Sequence, residues 1–315
     1  MRATIRVPAT SANLGSGFDC LGLALGIHNE VIVSTDDVDP ACPRSPRIAV
    51  FGEGADVLPR DRTNLIYRSI LKLFDAIGKP VPAFSLVTNN RIPLTGGLGS
   101  SSAALVGGLL AGNALAGHPL SRDEVLKLAF DEEGHPDNVA PALLGGLVLC
   151  VIDEGRLASV ALPVPAGLKA VVFIPGFSMP TEQARQLLPS HVPHRDAVFN
   201  LGRAALLIAA FQTGRLDLLK TATEDRLHQP YRRQMFPALP RLMQSALDAG
   251  ALASFLSGAG SAVLALARGT EESVAAGMQA AATRAGVVGR CVIADISREG
   301  ATVTIDSGPQ LTNGD

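Results

Sequence analysis

The sequence predicts an α+β protein of two domains. Segments with strand and helix patterns are mixed along the 315 residues, without the regular strand–helix–strand alternation of a parallel sheet. A chain of this length is enough for one large or two medium domains. Pro163 and Pro165 mark the best candidate boundary, so we expect domains at 1–164 and 165–315.

In the first domain, apolar runs rich in β-branched residues predict strands, and leucine and isoleucine residues at helical spacing predict helices. The strands are expected at 3–7, 31–35, 47–51, 84–88, 147–152 and 157–162, with a Pro-rich turn at 40–46. The helices are expected at 63–76 (N-cap Asp61 or Thr63), at 101–116, and from Ser121 to 130. Ser121 and Glu124 have the spacing of a capping box, and Asp-Glu-Gly-Arg at 153–156 indicates a hairpin.

The second domain repeats the mixture. Strands are predicted at 169–174, 251–256, 262–267, 288–295 and 302–305, and helices at 196–211, 239–249 and 270–285. The short strands at 251–256 and 262–267 bracket a Ser/Gly turn, and residues 313–315 are expected to form a loose tail.

Composition excludes several classes of protein. The net charge of −2, the absence of Trp and the aromatic content of 4% argue against a nucleic-acid partner. The four cysteines at 20, 42, 150 and 291 lie far apart without a CxxC pair, which predicts thiols in a reducing compartment. Because no apolar segment of signal-peptide length opens the sequence, we expect a cytoplasmic protein.

Two uncharged segments, 92–121 and 249–267, reach the length of a membrane span, and the mean hydropathy is +0.27. Proline, serine and clustered glycine residues interrupt the first segment, and a Ser-Gly-Ala-Gly-Ser turn lies at the centre of the second. A spanning helix consists mainly of large apolar residues. The sequence therefore predicts no contact with a membrane.

The segment Pro-Leu-Thr-Gly-Gly-Leu-Gly-Ser-Ser-Ser-Ala-Ala at 93–104 is the strongest chemical signal. Its glycines allow close backbone approach to a ligand, and the serines stand at a predicted helix start, where free N–H groups favour an anion. This pattern suits a polyphosphate, with one hydroxyl left for a metal ion. The alternative is a flexible turn before a buried helix. A Walker A loop is disfavoured because no lysine follows the glycines.

A second constellation places Glu132, Glu133, His135, Asp137 and Asn138 within seven residues. One carboxylate together with phosphate oxygens is a common arrangement around Mg²⁺. The alternative is a helix end at Gly134 followed by a proline turn and an Asx cap. Two further polar, Gly-rich segments, 10–19 and 257–261, would each alone more often be a structural turn.

Taken together, these segments resemble the motifs of the GHMP kinases, the superfamily of galactokinase, homoserine kinase, mevalonate kinase and phosphomevalonate kinase. PLTGGLGSSSAA resembles its phosphate loop and FLSGAGSAVLAL its third motif, while PATSANLGSGFDCLGLAL and EGHPDNVAPALLGG are similar to the homoserine kinase branch. The match runs from about residue 4 to about residue 295. The resemblance implies a two-domain GHMP kinase fold, with an N-terminal domain like ribosomal protein S5 and a C-terminal ferredoxin-like α/β plait.

The resemblance also implies site residues. The ATP-binding set would be Asn64, near the adenine, with Pro93, Gly96, Gly97, Leu98, Gly99, Ser100, Ser101, Ser102 and Ala103. Mg²⁺ would be held by Glu133 and Ser101, although Asp131 and Glu132 are close enough in sequence to compete. The third motif contributes Ser257, Gly258, Ala259 and Gly260. The substrate site would contain Asn13, Asp19, His135, Asp137, Asn138, Thr181, Arg185 and Arg232.

By the same resemblance the partners are ATP and L-homoserine, a zwitterion whose carboxylate suits an arginine and whose ammonium suits Asp19. Asn138, His135 and Arg185 are the expected catalytic residues. Asn138 stands where mevalonate-type relatives carry an aspartate base, so we expect Asn138 to orient the hydroxyl without a strong base, with His135 as the alternative base. In the third motif, Ser261-Ala262 replaces the usual Pro-Thr or Pro-Ser.

The implied product is O-phospho-L-homoserine, on the way to threonine, and the implied assembly is a homodimer. Two alternatives stay open at this point. The chain could be another small-alcohol kinase of the superfamily, such as a mevalonate-type kinase, or a non-catalytic regulator that kept the fold.

Overall fold

The computed structural model describes residues 1–36, 47–94 and 96–306. The Pro-rich turn at 40–46, Cys42, Thr95 and the expected tail at 313–315 lie outside the described residues. The strands are β1 (Arg2–Ala12), β2 (Leu21–Ser34), β3 (Arg47–Gly52), β4 (Ser85–Asn90), β5 (Leu147–Asp153), β6 (Arg156–Leu162), β7 (Lys169–Pro175), β8 (Ala253–Leu256), β9 (Val263–Ala267), β10 (Gly289–Asp295) and β11 (Thr302–Asp306).

The helices are α1 (Leu65–Ala76), α2 (Ser100–Leu115), α3 (Arg122–Glu133), α4 (Pro136–Leu144), α5 (Thr181–Gln186), α6 (His194–Thr213), α7 (Leu219–Ala222), α8 (Gln229–Arg232), α9 (Leu239–Asp248) and α10 (Glu271–Arg284). The predicted strands and helices among the described residues are all present. Most of their ends are shifted by a few residues, but β2 begins at Leu21, ten residues before its predicted start at Val31. The capping box of Ser121 and Glu124 and the β5–β6 hairpin are also confirmed.

The first sheet has the order β11-β1-β2-β4-β3, and the β5–β6 hairpin joins it at the start of β2. The long strand β2 pairs with two strands besides β1: residues 21–23 pair with β5, and residues 30–34 pair with β4. Only the β3–β4 pair is parallel among the pairs of the described residues. The sheet therefore takes in a strand from the far end of the sequence, and the boundary at 164/165 stays a prediction.

The second sheet is antiparallel with the order β10-β7-β9-β8. The sequence of strand β7 is apolar at consecutive positions, as expected for a strand with both faces buried. Ala170 and Val172 belong to the large core that also contains residues of the first sheet, whereas Val171 and Phe173 pack with α9 and α10 in a smaller second core. The large core thus joins both sheets.

Two local predictions need correction. The N-cap of α1 is Asn64, whose Oδ1 accepts the N–H groups of Ile66 and Tyr67 at 3.0 and 3.3 Å, so Asp61 and Thr63 as N-caps were wrong. Strand β1 was predicted to end at Val7, yet it continues to Ala12, because an irregularity between Pro8 and Ala9 absorbs the proline.

Helix α2 accounts for the uncharged segment 92–121. It packs along α1 at a distance that excludes side chains: a Cβ added at Gly108 would lie 2.6 Å from the carbonyl oxygen of Ile66. Almost every residue from 102 to 114 is buried. Within residues 1–36, 47–94 and 96–306, no helix is long and apolar enough to cross a membrane.

Candidate active site

The predicted motifs meet around one cavity of about 730 Å³. The predicted site residues that line it are Asn13, Asp19, Asn64, Gly96, Gly97, Leu98, Gly99, Ser100, Ser101, Glu133, His135, Asp137, Asn138, Thr181, Arg185, Arg232, Gly258, Ala259 and Gly260. Those that do not line it are Pro93, Ser102, Ala103 and Ser257. Segments separated by more than 200 residues in the sequence thus contribute to the same walls.

The glycine loop enters this cavity in a backbone conformation that requires glycine. Gly97 and Gly99 have φ of +71° and +68°, and Gly99 is the N-cap of α2. A Cβ at Gly99 would lie 1.9 Å from Oγ1 of Thr10. The hydroxyl of Ser257 donates to the Gly97 carbonyl oxygen at 2.7 Å, so the third motif supports the loop although Ser257 does not line the cavity.

The first turn of α2 is open toward a ligand. No side chain of residues 1–36, 47–94 or 96–306 caps this 16-residue helix, and Ser100 and Ser101 line the cavity. The first N–H groups of a helix lack internal partners, and the helix dipole adds positive potential at the same point. The loop and the helix start together offer backbone N–H groups that suit phosphate groups without a lysine.

Glu133 is the carboxylate attached to this loop and helix start. It is the last residue of α3, and its Oε1 accepts the hydroxyls of Ser102 at 2.8 Å and Ser101 at 3.3 Å. Asp131 instead pairs with Lys127 at 3.1 Å, and Glu132 contacts Lys72, which lowers the pKa of Glu132 by its hydrogen bond. Of the three candidate acids, only Glu133 bonds to the serines of the glycine loop.

The residues at this point fit Mg²⁺. A carboxylate and a serine hydroxyl supply the oxygen ligands that Mg²⁺ prefers, and the ion usually takes its remaining ligands from water and substrate phosphates. A cage made only of protein side chains is not needed. The described part of the chain has no cluster of three or more His, Cys, Asp and Glu side chains that could hold a metal.

A second part of the cavity contains a fixed ion pair. Arg185 of α5 donates from Nη1 and Nη2 to the two carboxylate oxygens of Asp19 at 3.0 and 2.8 Å. Asn13 positions Asp19, because its Oδ1 accepts the Asp19 N–H at 2.9 Å while its Nδ2 donates to the Gly258 carbonyl oxygen. Asn13 and Asp19 both have positive φ, at 72° and 57°. Such strain in non-glycine residues is concentrated at functional sites.

Asp137 is a second acid in this part, and it forms no ion pair with the residues that the structure describes. It is 2% exposed, and its Oδ1 has no hydrogen-bond partner among those residues. Burial, followed by the charge of Asp19, raises the pKa of Asp137 to about 7. The proline turn with an Asx cap, the alternative interpretation of this segment, was wrong: Gly134 does end α3, but Asp137 and Asn138 lie in the first turn of α4.

Arg232 supplies a buried positive charge. It is 1% exposed, and its Nη1 donates to the Gly258 carbonyl oxygen at 2.9 Å, while Nε has no partner within the described part of the chain. Burial and the neighbouring Arg185 lower the pKa of Arg232 to about 10, so the guanidinium keeps its charge at neutral pH. This part of the cavity therefore holds two acids and two arginines, a set that complements a zwitterion.

Asn138 also lines the cavity. Its Oδ1 accepts the hydroxyl of Thr10 at 2.8 Å, which directs the amide nitrogen away from Thr10. His135 is half-buried at the N-cap of α4, and Thr181 is exposed at the start of α5. The sequence analysis did not assign a function to Thr10, although Thr10 lies in the PATSANLGSGFDCLGLAL segment.

Two aromatic residues near the arginines were missed. His228 is fully buried, and its ring stacks on Phe18 with the centroids 5.1 Å apart. Phe18 in turn lies 5.7 Å from Arg185 and 5.4 Å from Arg232, measured from the ring centroid to each Cζ. The available signal was the spacing of His228 and Arg232, which are four residues apart and therefore share a helix face.

Comparison with known proteins gives a consistent result. Residues 64–146 match the family model of the GHMP kinases N terminal domain, and residues 207–284 match that of the GHMP kinases C terminal. A homoserine kinase of Carboxydothermus hydrogenoformans is 47% identical over 84% of this chain and 84% of the relative. One of Moorella thermoacetica is 44% identical over 93% of this chain and 96% of the relative.

Solved structures agree with the sequence relatives. The crystal structure of homoserine kinase from Cytophaga hutchinsonii superposes with a TM-score of 0.86 at 30% identity. The alignment covers 96% of this chain and 97% of that one. The two-domain arrangement of mixed helices and sheets is therefore shared with that structure over nearly its full length.

Proposed function

The chain belongs to the homoserine kinases of the GHMP kinase family, and from that premise we propose that it transfers the γ-phosphoryl group of ATP to the hydroxyl of L-homoserine. The product is O-phospho-L-homoserine, an intermediate of threonine biosynthesis. One observation supports this proposal above the others. A cradle for phosphates and a pocket with two acids and two arginines line the same cavity.

In this mechanism the loop at 96–99 and the first turn of α2 hold the ATP phosphates through backbone N–H groups. Glu133 and Ser101 would hold Mg²⁺, which when bound neutralises charge on the phosphate oxygens. Phosphoryl transfer passes through a loose transition state, so positioning and charge neutralisation supply most of the catalysis. Asn64 keeps its proposed place near the adenine, since it lines the cavity while it caps α1.

The substrate end uses charge complementarity. Arg232 holds the carboxylate of homoserine, because its buried Nε is a donor that lacks a partner. Asp19 is already paired with Arg185, so Asp137 is the better placed carboxylate for the ammonium group. A bound ammonium would also offset the cost of a buried and unpaired carboxylate.

Asn138 orients the acceptor hydroxyl. Because Oδ1 accepts from Thr10, the hydrogens of Nδ2 remain to donate to the hydroxyl oxygen or to a γ-phosphate oxygen. An amide does not accept a proton at neutral pH, so the hydroxyl proton passes to the phosphate itself. The half-buried His135 is the alternative base, and a rate that falls as this imidazole becomes protonated would favour it.

The decisive experiment is a substrate panel. Purified protein with Mg·ATP is incubated separately with L-homoserine, L-serine, L-threonine and mevalonate, and ADP release is measured. We expect turnover with homoserine alone. Turnover with mevalonate would instead indicate another small-alcohol kinase, and binding of homoserine without ADP release would indicate a regulator.

We also propose a cytoplasmic location and a homodimer. The location follows from the widely spaced cysteines, of which Cys20, Cys150 and Cys291 are free thiols. Sedimentation of the purified protein at several concentrations tests the dimer, and a single species at the monomer mass would contradict it.

A further inference from the structure

We propose that His228 is a positioning residue that fixes the guanidinium of Arg232 and ties it to the loop between β1 and β2. This inference rests on the proposed function, in which Arg232 holds the carboxylate of the substrate. His228 does not line the cavity, so it acts through Arg232 and does not touch the substrate.

Hydrogen bonding determines which ring nitrogen carries the proton. Nε2 lies 2.8 Å from the carbonyl oxygen of Gly15, and a carbonyl oxygen only accepts, so Nε2 must be the donor. The lone pair of Nδ1 then accepts from Nη1 of Arg232, 3.2 Å away. The neutral ring with a proton on Nε2 satisfies both neighbours, and no other protonation state does.

The ring is also confined on its faces and edges. It is fully buried and stacked on Phe18, and the segment that precedes α8 is fixed by Asp225. The carboxylate of Asp225 accepts the N–H groups of Leu227, His228 and Gln229 and the amide of Asn200. A side chain held at this many points has little freedom to reorient, and it passes that restriction to Arg232.

Arg232 gains a defined orientation from this contact. Its Nη1 donates both to Nδ1 of His228 and to the carbonyl oxygen of Gly258, so both hydrogens of that nitrogen are used. The guanidinium is planar, and fixing one terminal nitrogen fixes the plane in which Nε and Nη2 lie. Gly15 belongs to the same loop as Asp19. His228 therefore connects Arg232, which holds the substrate carboxylate, with the loop that carries Asp19.

The charged groups around the ring favour its neutral form. Arg232 on α8 opposes a second proton, whereas Asp225, 3.5 Å from Nε2, and Asp19 in the β1–β2 loop attract one. Burial outweighs both acids and lowers the pKa of His228 to about 4. The acceptor at Nδ1 is therefore present across the neutral range.

Two substitutions separate the two hydrogen bonds of the ring. In His228→Asn the amide oxygen can occupy the place of Nδ1 and accept from Arg232, but the donor to Gly15 is lost. In His228→Gln the longer amide can reach Gly15, but the acceptor for Arg232 is lost. We expect H228Q to raise KM for homoserine roughly tenfold, the usual effect of one hydrogen bond to a charged group. H228N should keep KM within about threefold, and KM for ATP should change in neither.

A second substrate shows whether the effect acts on the carboxylate. 3-Aminopropanol is homoserine without its carboxylate, so kcat/KM for it should be the same in H228Q and the unaltered chain. An equal loss with both substrates, or H228N and H228Q with equal KM values for homoserine, would overturn the inference. A lack of homoserine turnover by the unaltered chain would overturn the proposed function instead.

Nuclear magnetic resonance of the unaltered protein gives an answer even where a variant does not fold. With ¹⁵N-labelled histidine, the two-bond correlations should show His228 with a protonated Nε2 and a bare Nδ1 at neutral pH. A proton on Nδ1, or a doubly protonated ring, would remove the acceptor for Arg232 and contradict the proposal.

Discussion

At the scale of single residues, Asp137 makes stability depend on pH. Burial raises its pKa from the ordinary value of 3.8 to about 7, so the folded protein retains a proton that the unfolded chain has lost in this range. Stability then falls as pH rises from about 4 to about 7. We expect Asp137→Asn to be more stable than the unaltered chain by on the order of 4 kcal/mol at about pH 8, and nearly equal at about pH 4.

Chemical denaturation without ligands at both pH values measures this difference. The exposed Asp75→Asn is the control, and its free energy of unfolding should match that of the unaltered chain at both. A stability difference for Asp137→Asn that does not vary with pH would contradict the titration of this carboxylate.

Asn138 carries a second prediction at this scale. Removing its amide in Asn138→Ala should lower kcat by about 10- to 100-fold, because one fixed donor to developing charge is lost. Thr10→Val keeps the shape of the threonine but frees the amide to rotate, so a smaller loss is expected. Steady-state kinetics with saturating homoserine and ATP test both. A kcat for Asn138→Ala within about twofold of the unaltered value would argue against the orienting function.

At the scale of elements, the contact between α1 and α2 depends on glycine. The Cβ of Gly108→Ala would meet Ser69 Cβ at 2.5 Å and the Ile66 carbonyl oxygen at 2.6 Å, so the helices must separate. We expect destabilisation by about 1–3 kcal/mol. The control is Gly202→Ala on the exposed face of α6, which meets nothing within 4 Å and should stabilise by about 0.5–1 kcal/mol. Thermal unfolding of the pair measures both, and equal shifts in Tm would contradict the packing argument.

At the scale of the whole molecule, the shared core predicts cooperative unfolding. One cluster contains Ile5 and Leu25 of the first sheet together with Ala170 and Val172 of the second. Separation of the two halves would expose this cluster to water. We expect peptides from α2 and from α10 to lose protection from hydrogen exchange at the same guanidinium concentration, as followed by mass spectrometry. Two separate midpoints would show that the halves unfold independently.

Much of this architecture could be predicted from local pattern. The loop at 96–99 carries its own information, since glycines that need positive φ and serines at a helix start are adjacent in the chain. Helix α4 escaped prediction because Pro136 looks like a turn residue, although proline is favoured in the first turn of a helix. Asn64 illustrates a different difficulty, because its side chain both caps α1 and lines the cavity. The sequence alone does not show that one residue has both of these positions.

The remaining site contacts join distant segments and leave no local trace. His228 and Gly15 are 213 residues apart, and the contact exists only after the helical region around α8 has packed on the β1–β2 loop. The sequence likewise left the choice among Asp131, Glu132 and Glu133 open, because their neighbours are not visible in it. Two of these acids bond to lysines of α1 and α3, and those lysines are visible in the sequence only as surface charges.

The pairing of β1 with β11 has a consequence for how the chain folds as it is made. Strand β1 can pair with β2 soon after both have been synthesised. Its other edge pairs with Thr302–Asp306, which is synthesised much later. At about 5–20 residues per second, that edge stays unpaired for roughly 15 to 60 s of synthesis. Throughout that interval the backbone N–H and C=O groups on this edge of Arg2–Arg6 are unpaired and can bond to a strand of another chain. Arg2 and Arg6 are exposed charges at the two ends of this stretch. Charged side chains at an edge oppose pairing with another chain, so they protect this edge until β11 has been synthesised.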